Sequence, residues 1–262
     1  MTARPKLRIL CFGDSLTAGY ACYGTIHHPY NEKLEHMLCM AFPDLKIETA
    51  EDGVSGATVR NGFQTRMNAQ FLAPKKGKDD DGEADGKPYD WAVVLGGTND
   101  LGIGFEVEDI FESLKEVWEV PLSNKCKVLA LTVPEAGVNG RMRERIDAKR
   151  NKLNDLIKGY KREGFHVYDL HKHVPYWSMT EADREKYWDD LVHFTPDGYD
   201  LIGNKVGIAL VSLLAMDRAN SPQRPQKRRR LFKGDDKKYD EETGDPTAID
   251  QGYVVVRRAD LE

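Results

Sequence analysis

Nothing in this sequence offers a ready-made metal, nucleotide or membrane motif. Four cysteines (Cys11, Cys22, Cys39, Cys126) form no CxxC pair, and no His-Glu-x-x-His or Cys/His cluster at zinc spacing occurs. Free thiols in a reducing compartment are the expected state, with no metal bound. Gly96-Gly97 lacks the Lys-Ser/Thr that closes a phosphate loop. The first strand is followed only by Gly13 and Gly19, too few for a dinucleotide fingerprint, so no cofactor is expected. With 38 Lys and Arg against 43 Asp and Glu, the net charge of -5 is not built to neutralise phosphates, and no nucleic-acid partner is expected. No uninterrupted apolar run is long enough to cross a bilayer, so no membrane span is expected. Met1-Thr2-Ala3-Arg4-Pro5-Lys6 leads into the first strand without an apolar signal region, which suggests an intracellular, cytoplasmic protein.

What is present is a rhythm. The chain has 262 residues, 40% of them hydrophobic, enough for one substantial core. Strands are expected at Leu7–Phe12, Leu45–Ala50, Asp90–Gly96, Lys127–Val133 and Phe165–Leu170. Between them helices are expected at Pro29–Ala41, Ala57–Phe71, Val107–Val120 and Arg141–Arg162, with a last helix after Thr195-Pro196. Runs such as Ala92-Val93-Val94-Leu95 lack alternation, as in strands covered on both faces. This βαβ order implies an α/β protein with a doubly wound, five-stranded parallel sheet.

Two segments break the rhythm. Residues 74–89, with Lys75-Lys76-Gly77-Lys78-Asp79-Asp80-Asp81-Gly82, mix charges without apolar anchors and read as a mobile surface insertion. Beyond Arg218, Ser221-Pro222-Gln223-Arg224-Pro225 reads as a linker, Lys227-Arg228-Arg229-Arg230 as a basic run, and Gly252–Arg257 as a possible short strand. The organisation expected is a folded domain over 6–217 and a flexible charged tail over 218–262. The basic run is most often a solvated tail; its sharper reading is a nuclear-targeting or anion-binding patch.

Gly13-Asp14-Ser15-Leu16 directly follows the strand Leu7–Phe12, and Ser15 lies where α/β proteins bind ligands. Alone it would read as a helix cap. Two other strand ends add Glu51-Asp52-Gly53-Val54-Ser55-Gly56 and Gly96-Gly97-Thr98-Asn99-Asp100. The segment before the last helix adds Asp190-Leu191-Val192-His193. In a parallel sheet all of these share one edge. A hydroxyl, an imidazole, a carboxylate, a glycine backbone and an amide side chain therefore converge, the parts acyl chemistry needs. Bland readings stand beside each: Asn99-Asp100 as a turn and cap, with Asp100 in that role, and Asp190 and His193 as a solvated pair. Asp189 is expected at the surface, His28 at a helix start, and His36 and His166 in structural roles. His171 and His173 are weaker candidates than His193. Leu16, Tyr20, Leu101, Ile103 and residues after Glu135 are expected as pocket walls.

These four blocks, in this order from about Leu7 to Leu214, resemble the SGNH hydrolases, or GDSL esterase/lipase family. The second block departs from the pattern, with Glu51-Asp52 where an Asn often precedes the glycines. The resemblance implies a three-layer α/β/α, flavodoxin-like fold and a serine esterase working without cofactor on small to medium acyl esters or acetylated sugars. It makes Ser15 the nucleophile, His193 the general base and Asp190 the residue that orients His193. The amides of Ser15 and Gly56 and the side chain of Asn99 would form the oxyanion hole, with Asp14 in support. The nucleophile is not in a Gly-x-Ser-x-Gly elbow, which argues against the ordinary α/β-hydrolase fold. Two other readings remain: a thioesterase or lysophospholipase on lipid-like acyl substrates, and a binding module without turnover.

Overall fold

The computed structural model describes residues 4–72 and 88–220. In chain order the elements are β1 (Lys6–Gly13), α1 (Ser15–Ala18), β2 (Tyr20–Ala21), β3 (Ile26–His27), α2 (Asn31–Ala41) and β4 (Lys46–Gly53). There follow α3 (Phe63–Phe71), β5 (Trp91–Val94), α4 (Thr98–Ile103), α5 (Val107–Ser123), β6 (Lys127–Leu131) and α6 (Gly140–Gly159). The chain continues through β7 (Phe165–Tyr168), α7 (Leu170–His173), α8 (Glu181–Tyr187) and α9 (Pro196–Asn220). Five strands form one parallel sheet in the order β4-β1-β5-β6-β7, while β2 and β3 form a separate antiparallel hairpin.

The sheet has an apolar face on each side, which explains the unbroken hydrophobic strands. Leu7, Ile9 and Cys11 of β1, with Val93 and Leu129, pack in one cluster with Leu34 and Leu38 of α2 and Tyr199, Ile202, Val206 and Leu210 of α9. Leu10 and Phe12, with Ala92, Val94 and Val128, pack in the other with Phe63 and Met67 of α3, Ile110 and Leu114 of α5, and Leu153 of α6. Residues one apart in a strand thus serve opposite layers. This is the expected three-layer α/β/α arrangement. The chain divides into two units, 1–217 and 218–262. Most of the insertion at 74–89, the linker, the Lys227–Arg230 run and the strand at Gly252–Arg257 lie outside the described residues.

Differences from the sequence expectations have local causes. The helix expected from Ala57 begins at Phe63, because Gly56 and Gly62 both have positive φ (76° and 96°) and Thr58 bridges to Asn61 in a turn. β4 extends to Gly53, since every residue from Lys46 pairs with β1, and its polar Glu48, Glu51 and Asp52 are accepted at an edge. The expected helix start at His28 is displaced to Asn31, and His28 Nε2 instead meets Asp200 Oδ1 at 2.9 Å. α9, expected as an ordinary last helix, is by length and composition apolar enough over Pro196–Ala219 to cross a membrane. Its fully buried stripe Tyr199, Ile202, Val206 and Leu210 packs in the core, as helix spacing allows.

Candidate active site

Ser15 sits on the turn from β1 into α1. Gly13 closes the strand at a place with no room for a side chain: a Cβ there would lie 2.3 Å from Thr17 Oγ1 and 2.5 Å from the Leu95 carbonyl oxygen. Asp14 caps α1, its Oδ1 accepting from Leu16 N at 3.0 Å, and Gly19 ends this single turn at φ 70°. The side chain of Asp14 is fully buried and its Oδ2 has no hydrogen-bond partner. Burial, above all, pushes its carboxyl up to about 7.

The segment between α8 and α9 brings His193 to Ser15. His193 Nε2 is 3.0 Å from Ser15 Oγ, and its Nδ1 is 2.9 Å from Asp190 Oδ2. The carboxylate beside Nδ1 requires the Nδ1–H tautomer, which leaves Nε2 free to accept from the Ser15 hydroxyl. Asp190 also folds its own loop, Oδ1 accepting from Val192 N and His193 N, each at 2.6 Å. Burial raises the Asp190 carboxyl, but the hydrogen bonds from His193 and Val192 outweigh it and hold it below the usual range. Tyr20 packs its ring against His193 with centroids 4.6 Å apart, and Tyr199 Oη donates to the Tyr20 carbonyl at 2.8 Å.

Asn99 reaches the residue that follows Gly56. Asn99 Nδ2 donates to the Ala57 carbonyl at 2.9 Å, tying the end of β5 to the turn containing Gly56. A Cβ on Gly56 would meet nothing within 4 Å, so the glycine is required by its φ of 76° and leaves the surface open in front of it. Asp100, expected as a cap, instead reaches across to that turn. Its fully buried carboxylate accepts from Val59 N at 2.9 Å and Arg60 N at 3.2 Å.

Among the remaining expectations, Asp189 and Asp190 exchange places in exposure. Asp190 is the more exposed, whereas Asp189 accepts from Cys22 N at 2.8 Å and anchors the β2–β3 hairpin. His171 faces Glu135, 3.7 Å away, and His173 Nδ1 is bonded to the Asp169 carbonyl at 2.7 Å, so neither meets Ser15. His36 is an exposed side chain of α2 and His166 packs on Trp91. Leu16 and Leu101, expected as pocket walls, are buried in opposite layers of the core. Arg66 was missed: its guanidinium bonds both the Gly13 carbonyl and Asp52. Its only trace in the sequence is a position on the helix following Gly56. Among the described residues, no three His, Cys, Asp or Glu side chains group as a metal site would need.

A family model, the GDSL-like Lipase/Acylhydrolase family, matches residues 11–201, which contain every block described above. The chain belongs to this family. Among curated proteins there is no match. Solved structures share the GDSL chain's fold. The lipase/acylhydrolase from Enterococcus faecalis has a TM-score of 0.55 at 22% identity, over 79% of this chain and 96% of that one. A member of the lipolytic G-D-S-L family from Veillonella parvula DSM 2008 has a TM-score of 0.52 at 20% identity, over 76% and 96% of the two chains. Axe2, an acetylxylan esterase from Geobacillus stearothermophilus, has a TM-score of 0.53 at 16% identity, over 76% and 92%. At these identities the likeness is one of fold.

Proposed function

We propose that this GDSL-family protein is a serine esterase that hydrolyses carboxylic esters through an acyl-Ser15 intermediate. The observation that carries the reading is the continuous hydrogen-bonded chain from Asp190 through His193 to Ser15 Oγ. Ser15 Oγ attacks the ester carbonyl as its proton passes to His193 Nε2. Asp190 holds the imidazole in the accepting tautomer and stabilises the imidazolium that forms. The negative oxygen of the tetrahedral intermediate is met by the amides of Ser15 and Gly56 and the Asn99 side chain. Asn99 has two N–H bonds to give, and the bond to Ala57 takes one. His193 then returns the proton to the leaving alcohol. Water, activated by the same imidazole, releases the acid and restores Ser15.

Acyl esters of small or medium size, or acetylated sugars, are the substrates this reading favours. A lipid-like acyl substrate is supported by a second observation. Tyr23, Ile26, Val54, Ile103 and Leu191 are exposed large apolar side chains, and all lie on segments at the sheet edge that carries Ser15. Hydrolysis of p-nitrophenyl esters from acetate to palmitate, by wild type and Ser15→Ala, tests both points. Turnover abolished in Ser15→Ala is expected, and the chain-length optimum separates the two substrate classes. No turnover at any length, with no fluorophosphonate label on Ser15, would overturn the esterase reading in favour of a binding module.

A further inference from the structure

The departure at the second block, Glu51-Asp52, is where this chain carries an unexpected cation. Arg66 of α3 spans the last paired rows of β1 and β4, in which Phe12 faces Asp52 and Gly13 faces Gly53. Its Nη1 donates to the Gly13 carbonyl at 3.1 Å. Its Nη2 donates to the Asp52 carbonyl at 2.6 Å and to Asp52 Oδ1 at 2.5 Å, and Nε adds a bond to the same Oδ1 at 3.2 Å. The guanidinium lies over the rings of Phe12 and Phe63, 4.6 and 5.4 Å from their centroids. Gln70 Nε2 donates to the other oxygen, Asp52 Oδ2, at 2.8 Å, and Gln70 in turn accepts from Tyr89 Oη at 3.0 Å. The Asp52 carboxylate is thus fully engaged.

The Gly13 carbonyl is the common point of this arrangement. It accepts from Arg66 and also from Val54 N, at 3.2 Å. One direction along the chain from Gly13 leads through Asp14 to Ser15; from Val54 the chain leads through Ser55 to Gly56. We propose that Arg66 is a positioning residue, its guanidinium clamping the carboxyl ends of β1 and β4 so that Ser15 and the Gly56 amide keep their mutual register during the reaction. The inference rests on the esterase reading above. A planar fork can bind two strand-end carbonyls and a carboxylate at once, whereas an ammonium has no such geometry. Of the two acids that depart from the usual family pattern, Asp52 is then part of the device, since it holds the guanidinium in place.

The test compares wild type, Arg66→Gln and Arg66→Lys as full chains. Each is assayed with p-nitrophenyl acetate and with a fluorophosphonate, well below its own melting temperature. Arg66→Gln is expected to lower kcat about 10–100-fold, the scale of a misplacement of an ångström or less at reacting groups. KM should stay within about twofold, because ground-state binding does not use the clamp. Fluorophosphonate labelling of Ser15 should slow in parallel, and Arg66→Lys should recover only part of kcat. A kcat within about twofold of wild type in a folded variant would make Arg66 a structural tie and overturn the proposal. Should Arg66→Gln fail to fold, Arg66→Lys, which keeps a cation beside Asp52, decides by the same criterion. Wild-type protein that neither turns over nor labels would overturn the esterase reading, and the clamp's role with it. An active wild type with an unaffected variant overturns the clamp alone.

Discussion

The carboxyl edge of the parallel sheet and its amino edge offer different things to a ligand. At the amino edge, where β6 and β7 begin, a hollow of about 940 Å³ is lined by Lys125, Lys127, Lys161, Arg162, Glu163 and Asp217 among others. Two of its cations are paired: Lys127 with Asp217 at 2.6 Å, and Arg162 with Glu119, outside the lining, at 2.7 Å. At the carboxyl edge the groups are held in less comfortable states. Asp14 is buried with one oxygen unpartnered, Gly19, Gly56 and Gly97 have positive φ, and a hydroxyl, an imidazole and a carboxylate form one chain. Reactivity follows convergent groups whose geometry the fold imposes, and the volume of a hollow is a poor guide to it.

The comparison is broken or sharpened by substitutions on either side. The largest effect is expected at Asp190, the acid proposed to orient His193. Asp190→Asn keeps an oxygen for Val192 N and His193 N but turns an N–H donor toward Nδ1, which favours the wrong imidazole tautomer. A loss of about 10³–10⁴ in kcat is expected from steady-state kinetics. Asn99→Ala comes next, with a loss of roughly 10²–10³ in kcat, the usual effect of removing one oxyanion donor. Activity near wild type would take Asn99 out of that role.

Asp14 gives a smaller effect, read through pH. Folding raises its carboxyl to about 7, chiefly by burial, while in the unfolded chain it titrates near 4. Between about pH 4 and 7 the folded protein therefore keeps a proton that the unfolded chain has lost. Stability from this group falls as pH rises through that window and levels off above it. Asp14→Asn preserves an acceptor for Leu16 N and removes the titration. The decline in melting temperature from pH 4 to 7 should shrink by at least about 2–4 °C, the shift that 1 kcal/mol gives in a chain of this size. The smallest effect is expected at the amino edge. Lys127→Ala breaks a half-exposed ion pair, costing about 0.2–1 kcal/mol in chemical denaturation, with kcat unchanged.

Sequence reading reached the sheet and the hydrogen-bonded Ser15, His193 and Asp190 for one reason: both leave local signatures. Doubly covered strands are continuous apolar runs, Ser15 and Asn99 follow strand ends at short spacings, and Asp190 and His193 stand three apart just before the last helix. What it missed depends on tertiary context. The β2–β3 hairpin passes through Cys22 and Tyr23, both at positive φ, which no residue type there announces apart from Gly24. The six residues of α4 are too few to show a helical period. Asp100 reads as a cap from its neighbours, yet its partners lie 41 and 40 residues away at Val59 and Arg60. Arg66 is invisible for the same reason, since its importance depends on where β1 and β4 end together.

Incubation of wild type and His193→Ala with a fluorophosphonate, followed by peptide mass mapping, tests the central claim most directly. The account predicts rapid stoichiometric modification of Ser15 in wild type and a label slowed by orders of magnitude when the imidazole is gone. Equal rates in the two proteins, or a label elsewhere, would contradict it.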